Sequence, residues 1–130
     1  MKQAGARGWI VVAALSGAIS VVAGAFAAHG LPHTEAGAKA REWLQIGSHY
    51  EMVHALAMLA VAALSSAGRL DTRLAVASQW LFLAGGILFP GALYALALGG
   101  PLWFGAVAPV GGLAFILGWL SLALAAALRK

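Results

Sequence analysis

The chain has 130 residues, of which 62% are hydrophobic and 9% charged, and it contains no cysteine. Soluble domains carry roughly 25% charged residues, so this composition excludes an ordinary aqueous domain, and the absence of thiols excludes disulfide and thiolate–metal chemistry. The formal charge of +4 comes from basic residues at the ends of apolar runs, a pattern of membrane topology rather than of a nucleic-acid surface.

Four apolar stretches follow one another at 9–28, 50–67, 74–98 and 102–128. A helix rises ~1.5 Å per residue and the hydrocarbon core of a bilayer is ~30 Å thick, so about 20 mostly apolar residues make a span. The second stretch reaches that length only by including Ser65, Ser66 and Ala67. The expected fold is all-α: a single polytopic membrane domain over 1–130, folded as a four-transmembrane-helix bundle.

The first stretch follows Lys2 and Arg7 and ends near Ala25-Phe26-Ala27, which has the outline of a signal peptide. Its apolar run exceeds the ~7–15 residues usual in such a segment, so it is expected to stay as helix one. Ser16, Ser20, Gly24 and Ala28 recur every fourth residue on one face, a spacing that lets helices approach closely in lipid. The connection that follows opens at Pro32. From 34 to 45, Ala36, Ala40, Trp43 and Leu44 share one face, while Glu35, Lys39 and Glu42 share another. That pattern predicts a short amphipathic helix lying on the outer membrane face. Its alternative is an extension of helix two into water.

Helix two ends at Ser65-Ser66-Ala67-Gly68, with Gly68 suited to a left-handed cap. In helix three, Pro90 lies among Gly85, Gly86 and Gly91. It has no N–H for the Gly86 carbonyl, which predicts a kink. Gly99-Gly100-Pro101 forms a tight turn into helix four, where Pro109 and Gly111-Gly112 repeat the device. These Gly and Pro faces, with the small-residue stripe of helix one, are the expected packing surfaces.

With four spans, Lys2, Arg7, Arg69, Arg73, Arg129 and Lys130 share one side, against Lys39 and Arg41 on the other. The positive-inside rule then places both termini in the cytoplasm. Trp9, Trp43, Tyr50, Tyr94, Trp103 and Phe104 fall near the interfaces. Trp80 and Trp119 fall deeper, between helices, where their indole N–H groups need acceptors.

No Asp, Glu, Lys or Arg stands in the middle of these spans, which disfavours a proton-coupled transporter. All four histidines, His29, His33, His49 and His54, fall on the outer side, with Glu51 among them. Tyr50, Glu51 and His54 share a helix face at i,i+4 and i,i+3 spacings, and Glu51 is placed to orient the His54 ring. His29, Tyr50, Glu51, His54 and Tyr94 are therefore the candidate outer-side polar cluster, whose first job would be to lock helices one, two and three together. The alternative is a ligand site: a metal held by histidines, or haem with His29 and His54 as axial ligands. No ligand-spacing motif, nucleophile elbow or phosphate loop is present, so no metal, no cofactor and no catalytic residue is expected.

These residues resemble the family of small bacterial membrane proteins known as domain of unknown function 423, which has eukaryotic relatives. The resemblance is carried by Gly24-Ala25-Phe26-Ala27-Ala28-His29-Gly30-Leu31 and Tyr50-Glu51-Met52-Val53-His54-Ala55-Leu56-Ala57. It continues in Leu88-Phe89-Pro90-Gly91-Ala92-Leu93-Tyr94-Ala95-Leu96 and Ala108-Pro109-Val110-Gly111-Gly112, with Phe115, Gly118 and Trp119. It implies four helices and a retained first helix, and supplies no established activity. Of the histidines, only His29 and His54 fall in matching stretches. Pro90 stands where the family pattern has a small polar residue, often serine, so no role for a hydroxyl carries over to that position. The expected protein is a bacterial inner-membrane structural or accessory subunit without catalytic activity. Its partners are the lipid bilayer and other membrane subunits or further copies of itself, and not nucleic acid.

Overall fold

The computed structural model describes residues 2–130, with side chains from residue 5 onward. Met1, which the charge rule assigns to the cytoplasm, and the side chain of Lys2 lie outside the described residues. Four helices follow in order: α1 (Lys2–His29), α2 (Glu35–Ser66), α3 (Thr72–Ala97) and α4 (Phe104–Ala127). Each packs mainly on its neighbour in sequence, α1 on α2, α2 on α3 and α3 on α4, with a slight α1–α3 contact. Three of them, α1, α3 and α4, are long and apolar enough to cross a membrane.

At α2 the separate amphipathic helix gives way to its alternative, an extension of helix two. The expected amphipathic helix and the second span are one continuous helix of 32 residues, about 48 Å long at ~1.5 Å per residue. Thr34 starts it, with its hydroxyl accepting from the Gly37 N–H at 3.1 Å. Nothing between Gln45 and His49 stops it, because a single glycine, Gly47, is tolerated inside a helix. The apolar face of the first turns is covered by protein rather than laid on lipid. Gly37, Ala40 and Leu44 are buried, and Trp43 packs on the cluster of Ala92, Leu93, Leu96 and Ala108. Arg41 also donates from Nε to the Ala27 carbonyl at 3.0 Å, holding this segment against the end of α1.

Two turns close by the same device. After α2, Gly68 (φ +67°) donates to the Ser65 carbonyl and Arg69 to that of Leu64. After α3, Gly99 (φ +85°) donates to Leu96 and Gly100 to Ala95. This paired pattern satisfies the last helical carbonyls and needs a left-handed residue, which glycine adopts without steric cost. Asp71 then caps α3, accepting from the N–H groups of Arg73 and Leu74 at 3.1 Å each. Its own N–H reaches the Ala125 carbonyl at 2.8 Å, joining this turn to the end of α4.

The α3–α4 interface is set by aromatic rings seated on glycines. Phe115 of α4 lies on Gly85, where an added Cβ would come within 2.4 Å of the ring. Phe82 of α3 lies on Gly118 in the same way, at 2.6 Å. At Gly111 a Cβ would meet the Phe89 backbone nitrogen at 2.4 Å, so here the two backbones themselves are in contact. Of the other expected packing glycines, Gly86 and Gly91 face no atom within 4 Å, and Gly112 makes only an ordinary contact at 3.9 Å. Their flanking positions turn them away from the neighbouring helix. Both α3 and α4 continue as helix through Pro90 and Pro109.

The stripe on α1 faces α2 in part. Ser16 reaches Glu51, and Gly24 lies 3.7 Å from the Ser48 hydroxyl as measured from an added Cβ. Ser20 is buried but bonds within its own helix, to the Gly17 carbonyl at 2.7 Å. Ala28 is exposed.

The glycines separate close packing from mere sequence pattern. Gly111→Ala is expected to destabilise the bundle by about 1–3 kcal/mol through overpacking against backbone. Gly86→Ala is expected to be neutral or to stabilise by about 0.5–1 kcal/mol through helix propensity. Unfolding of the purified variants in mixed micelles measures both.

Candidate functional site

Two of the buried polar side chains, Glu51 and His54, lie on α2. With its start at Glu35 and its end at Ser66, α2 places Glu51 at its midpoint. Glu51, expected near the start of the second apolar stretch, therefore stands at the centre of a longer helix. It is 6% exposed. Both of its oxygens are engaged by neighbouring helices. Oε1 accepts from the Ser16 hydroxyl of α1 at 3.1 Å, and Oε2 accepts from the Tyr94 hydroxyl of α3 at 2.6 Å. Tyr94 reaches that far because its ring crosses α2 at Gly47, where a Cβ would stand 2.7 Å from ring atom Cε1. No cation joins the group. Among the described residues the ion pair is Lys39–Glu42, at 3.1 Å on the exposed start of α2.

His54 does not pair with Glu51 as the i,i+3 spacing suggested. Its Nδ1 lies 2.6 Å from the Tyr50 carbonyl, and its Nε2 lies 3.0 Å from Nε1 of Trp119 on α4. An indole N–H only donates, so His54 Nε2 is an acceptor and the ring proton sits on Nδ1, donating to Tyr50. The ring also stacks on Phe115, with centroids 3.5 Å apart and planes 10° from parallel. Phe82 and Trp119 close the same aromatic layer, 5.1 Å apart. In this way His54 bridges α2 to α4, which make little direct backbone contact.

The remaining candidates fall outside this arrangement. Tyr50 contributes its carbonyl to His54 and its ring to a contact with Phe89, 4.8 Å between centroids. His29 is exposed at the end of α1. The level of that end on α2 is marked by the Ala27–Arg41 bond, ten residues and about 15 Å from Glu51. His29 and His54 therefore do not face one another as axial ligands would. Among the described residues no three His, Asp or Glu side chains converge on a point. With both ring nitrogens already bonded, His54 has no lone pair free for a metal in this arrangement.

Three further polar contacts were not anticipated from sequence. Ser78 donates to the Gly118 carbonyl at 3.0 Å, joining α3 to α4. Gln79 donates to the Met58 carbonyl at 2.9 Å, joining α3 to α2. Trp119 donates to His54. Only the last had a signal, since a tryptophan within an apolar helix requires an acceptor, although Trp119 is 44% exposed rather than deep between helices. Trp80, expected to pack the same way, is instead 58% exposed and meets Trp9 edge-on at 5.0 Å.

Beside this layer an apolar groove of about 630 Å³ opens between α2 and α4, walled by Val53, Phe89, Leu113, Ile116 and Trp119. In sum, the arrangement cross-links helices. A carboxyl group joins α1, α2 and α3, and an imidazole joins α2 and α4.

Comparison with known proteins gives the family. A family model described as a protein of unknown function (DUF423) matches residues 23–112. The UPF0382 membrane protein of Haemophilus influenzae is 45% identical over 115 residues, covering 88% of this chain and 90% of the relative. The UPF0382 inner membrane protein YgdD of Escherichia coli K12 is 40% identical over 126 residues, covering 95% and 91%. The UPF0382 membrane protein YwdK of Bacillus subtilis is 37% identical over 125 residues, covering 91% and 94%. No solved structure matches. The chain belongs to the DUF423 family of membrane proteins, a family of unknown function whose matched segment holds Glu51, His54 and Tyr94.

Proposed function

We propose that the protein is a single-domain, four-spanning inner-membrane bundle with both termini in the cytoplasm, acting as a structural or accessory subunit without catalytic activity. The observation that carries this reading is the Glu51 carboxyl group, buried at mid-helix with both oxygens spent on helix-to-helix bonds. A side chain held for chemistry or transport keeps an open position for its substrate. Here each oxygen already accepts from a different neighbouring helix.

The length of α2 supports a fourth span. Its stretch below the Ala27–Arg41 contact holds 25 residues to Ser66, enough for the ~20 that a bilayer needs. Its polar residues Glu51 and His54 are turned inward and bonded, which is how such groups are tolerated at depth. Hydrogen bonds between helices substitute here for the hydrophobic effect, which does not act between apolar surfaces in lipid. The exposed apolar residues of α1 and α4, such as Val22 and Leu120, meet lipid or a neighbouring subunit.

Glu51→Gln keeps an acceptor for Ser16 and a partner for Tyr94, so it is expected to cost about 0.5–1.5 kcal/mol of stability. Glu51→Leu strands both hydroxyls and is expected to cost about 1–3 kcal/mol for each. Reversible unfolding in micelles, with Ser16→Ala and Tyr94→Phe completing the cycles, measures the coupling. A Glu51→Leu protein as stable as the parent would sink the structural reading.

Reporter fusions at the two ends are expected to be active only in the form that reports the cytoplasm. One periplasmic terminus would remove the fourth span. Mild-detergent copurification is expected to return a membrane partner or a further copy of the chain in fixed proportion.

A further inference from the structure

The groove between α2 and α4 is lined by one face of each helix, with His49, Tyr50 and Val53 on one wall and Pro109, Leu113 and Ile116 on the other. Rings form much of the remaining wall, from Phe89, Phe115 and Trp119. The two helices make little direct backbone contact, so the groove is open between them. Its volume is about 630 Å³. Concave, mostly apolar sites of about 300–1,000 Å³ carrying a few polar groups are the usual form of a small-molecule site.

Two polar side chains of this groove are not spent on the bundle. Tyr50 is 44% exposed, and His49 is exposed beside it. The Tyr50 carbonyl serves His54. Its hydroxyl has no hydrogen-bond partner among the described residues, and neither has the His49 ring, which meets the Tyr50 ring edge-on at 6.0 Å. His49 stands eight residues past Arg41, about 12 Å below the outer end of α1. On the opposite wall Pro109 is five residues into α4, about 7 Å from its start. With α2 as a span, both walls place the groove within the hydrocarbon layer. A phenol and an imidazole exposed there have no bulk water to bond them, and polar groups at such depth otherwise turn inward, as Glu51 and His54 do. Their partner therefore comes from a molecule dissolved in the lipid.

The site restricts what that molecule is. A phenol O–H and a neutral imidazole N–H both donate, so its polar part is an acceptor. Phospholipid phosphates and esters stay at the interface above this level. A wall built of rings favours a flat ring by stacking. We propose that the groove binds an isoprenoid quinone, whose carbonyl oxygen accepts from the Tyr50 hydroxyl and the His49 N–H. The isoprenoid chain leaves along Leu113 and Ile116, 55% and 59% exposed on the lipid side of α4. This binding site lies beyond the structural role and rests only on α2 being a span, which the terminal fusions test separately.

The test uses the full chain in micelles, with native mass spectrometry and thermal unfolding as readouts. The probes are decylubiquinone, decylbenzene, which keeps a ring and a chain without carbonyls, and dioleoyl phosphatidylethanolamine. Decylubiquinone is expected to bind one per chain and to raise Tm. Tyr50→Phe keeps the ring and removes a hydroxyl that bonds nothing in the bundle. It is expected to fold as the parent does and to weaken quinone binding about two- to tenfold, the effect of one hydrogen bond. Tyr50→Phe with His49→Leu is expected to weaken it about tenfold or more. Unchanged binding in that double variant overturns the proposal, as does equal binding of decylbenzene or of the diacyl lipid. So does a dimer that excludes the quinone and dissociates in the double variant, because a second copy would then be the occupant. If the double variant does not fold, decylbenzene makes the same comparison on the native chain.

Discussion

A carboxyl group halfway along a helix, inside a bundle surrounded by lipid, must find its hydrogen bonds within the protein. That constraint organises this molecule. Glu51 draws Ser16 from α1 and Tyr94 from α3 onto one point. Each partner belongs to a different helix, so the register of all three is fixed together. Sliding α1 or α3 by one turn, about 5.4 Å, would break the bond completely and strand a polar group in an apolar medium. The unusual length of α2 belongs to the same arrangement. Its polar first half carries the chain out past α1, and its centre lies where the neighbours can reach it.

The fourth helix is held by other means. Between α3 and α4 the contact is steric: Phe115 on Gly85, Phe82 on Gly118, and backbone against backbone at Gly111. In lipid such close fits replace the hydrophobic effect as the source of helix association. The aromatic layer then extends to α2 through His54, stacked on Phe115 and bonded to Trp119. Polar specificity and aromatic packing thus meet in one residue. The imidazole has a fixed tautomer because one nitrogen faces a carbonyl and the other an indole N–H.

This economy of polar groups separates the two ends of the bundle. Every carboxyl oxygen of Glu51 and ring nitrogen of His54 has a partner. Toward the beginning of α3, Gln79 keeps an oxygen without one. The two levels differ in hydrogen-bond satisfaction rather than in residue type.

Much of the fold was legible in the linear pattern, for reasons that act locally. Apolar runs of spanning length, Gly68 at a position requiring positive φ, and a tight turn at Gly99-Gly100-Pro101 are decided by a few adjacent residues. Glu51 and Tyr94, both named from sequence, are bonded to one another in the structure. Three things were not legible. A lone Gly47 carries no sign that the helix runs through it, so α2 was divided, and Glu51 was placed at an end instead of the middle. Gly86 and Gly85 are indistinguishable in sequence, and only the seat of Phe115 tells which one faces α4. The bond of His54 to Trp119 joins residues 65 positions apart. Spacing along one helix reports which side chains share a face, but the partner of that face is set by how separate helices come together in space, and that was decided by tertiary packing alone.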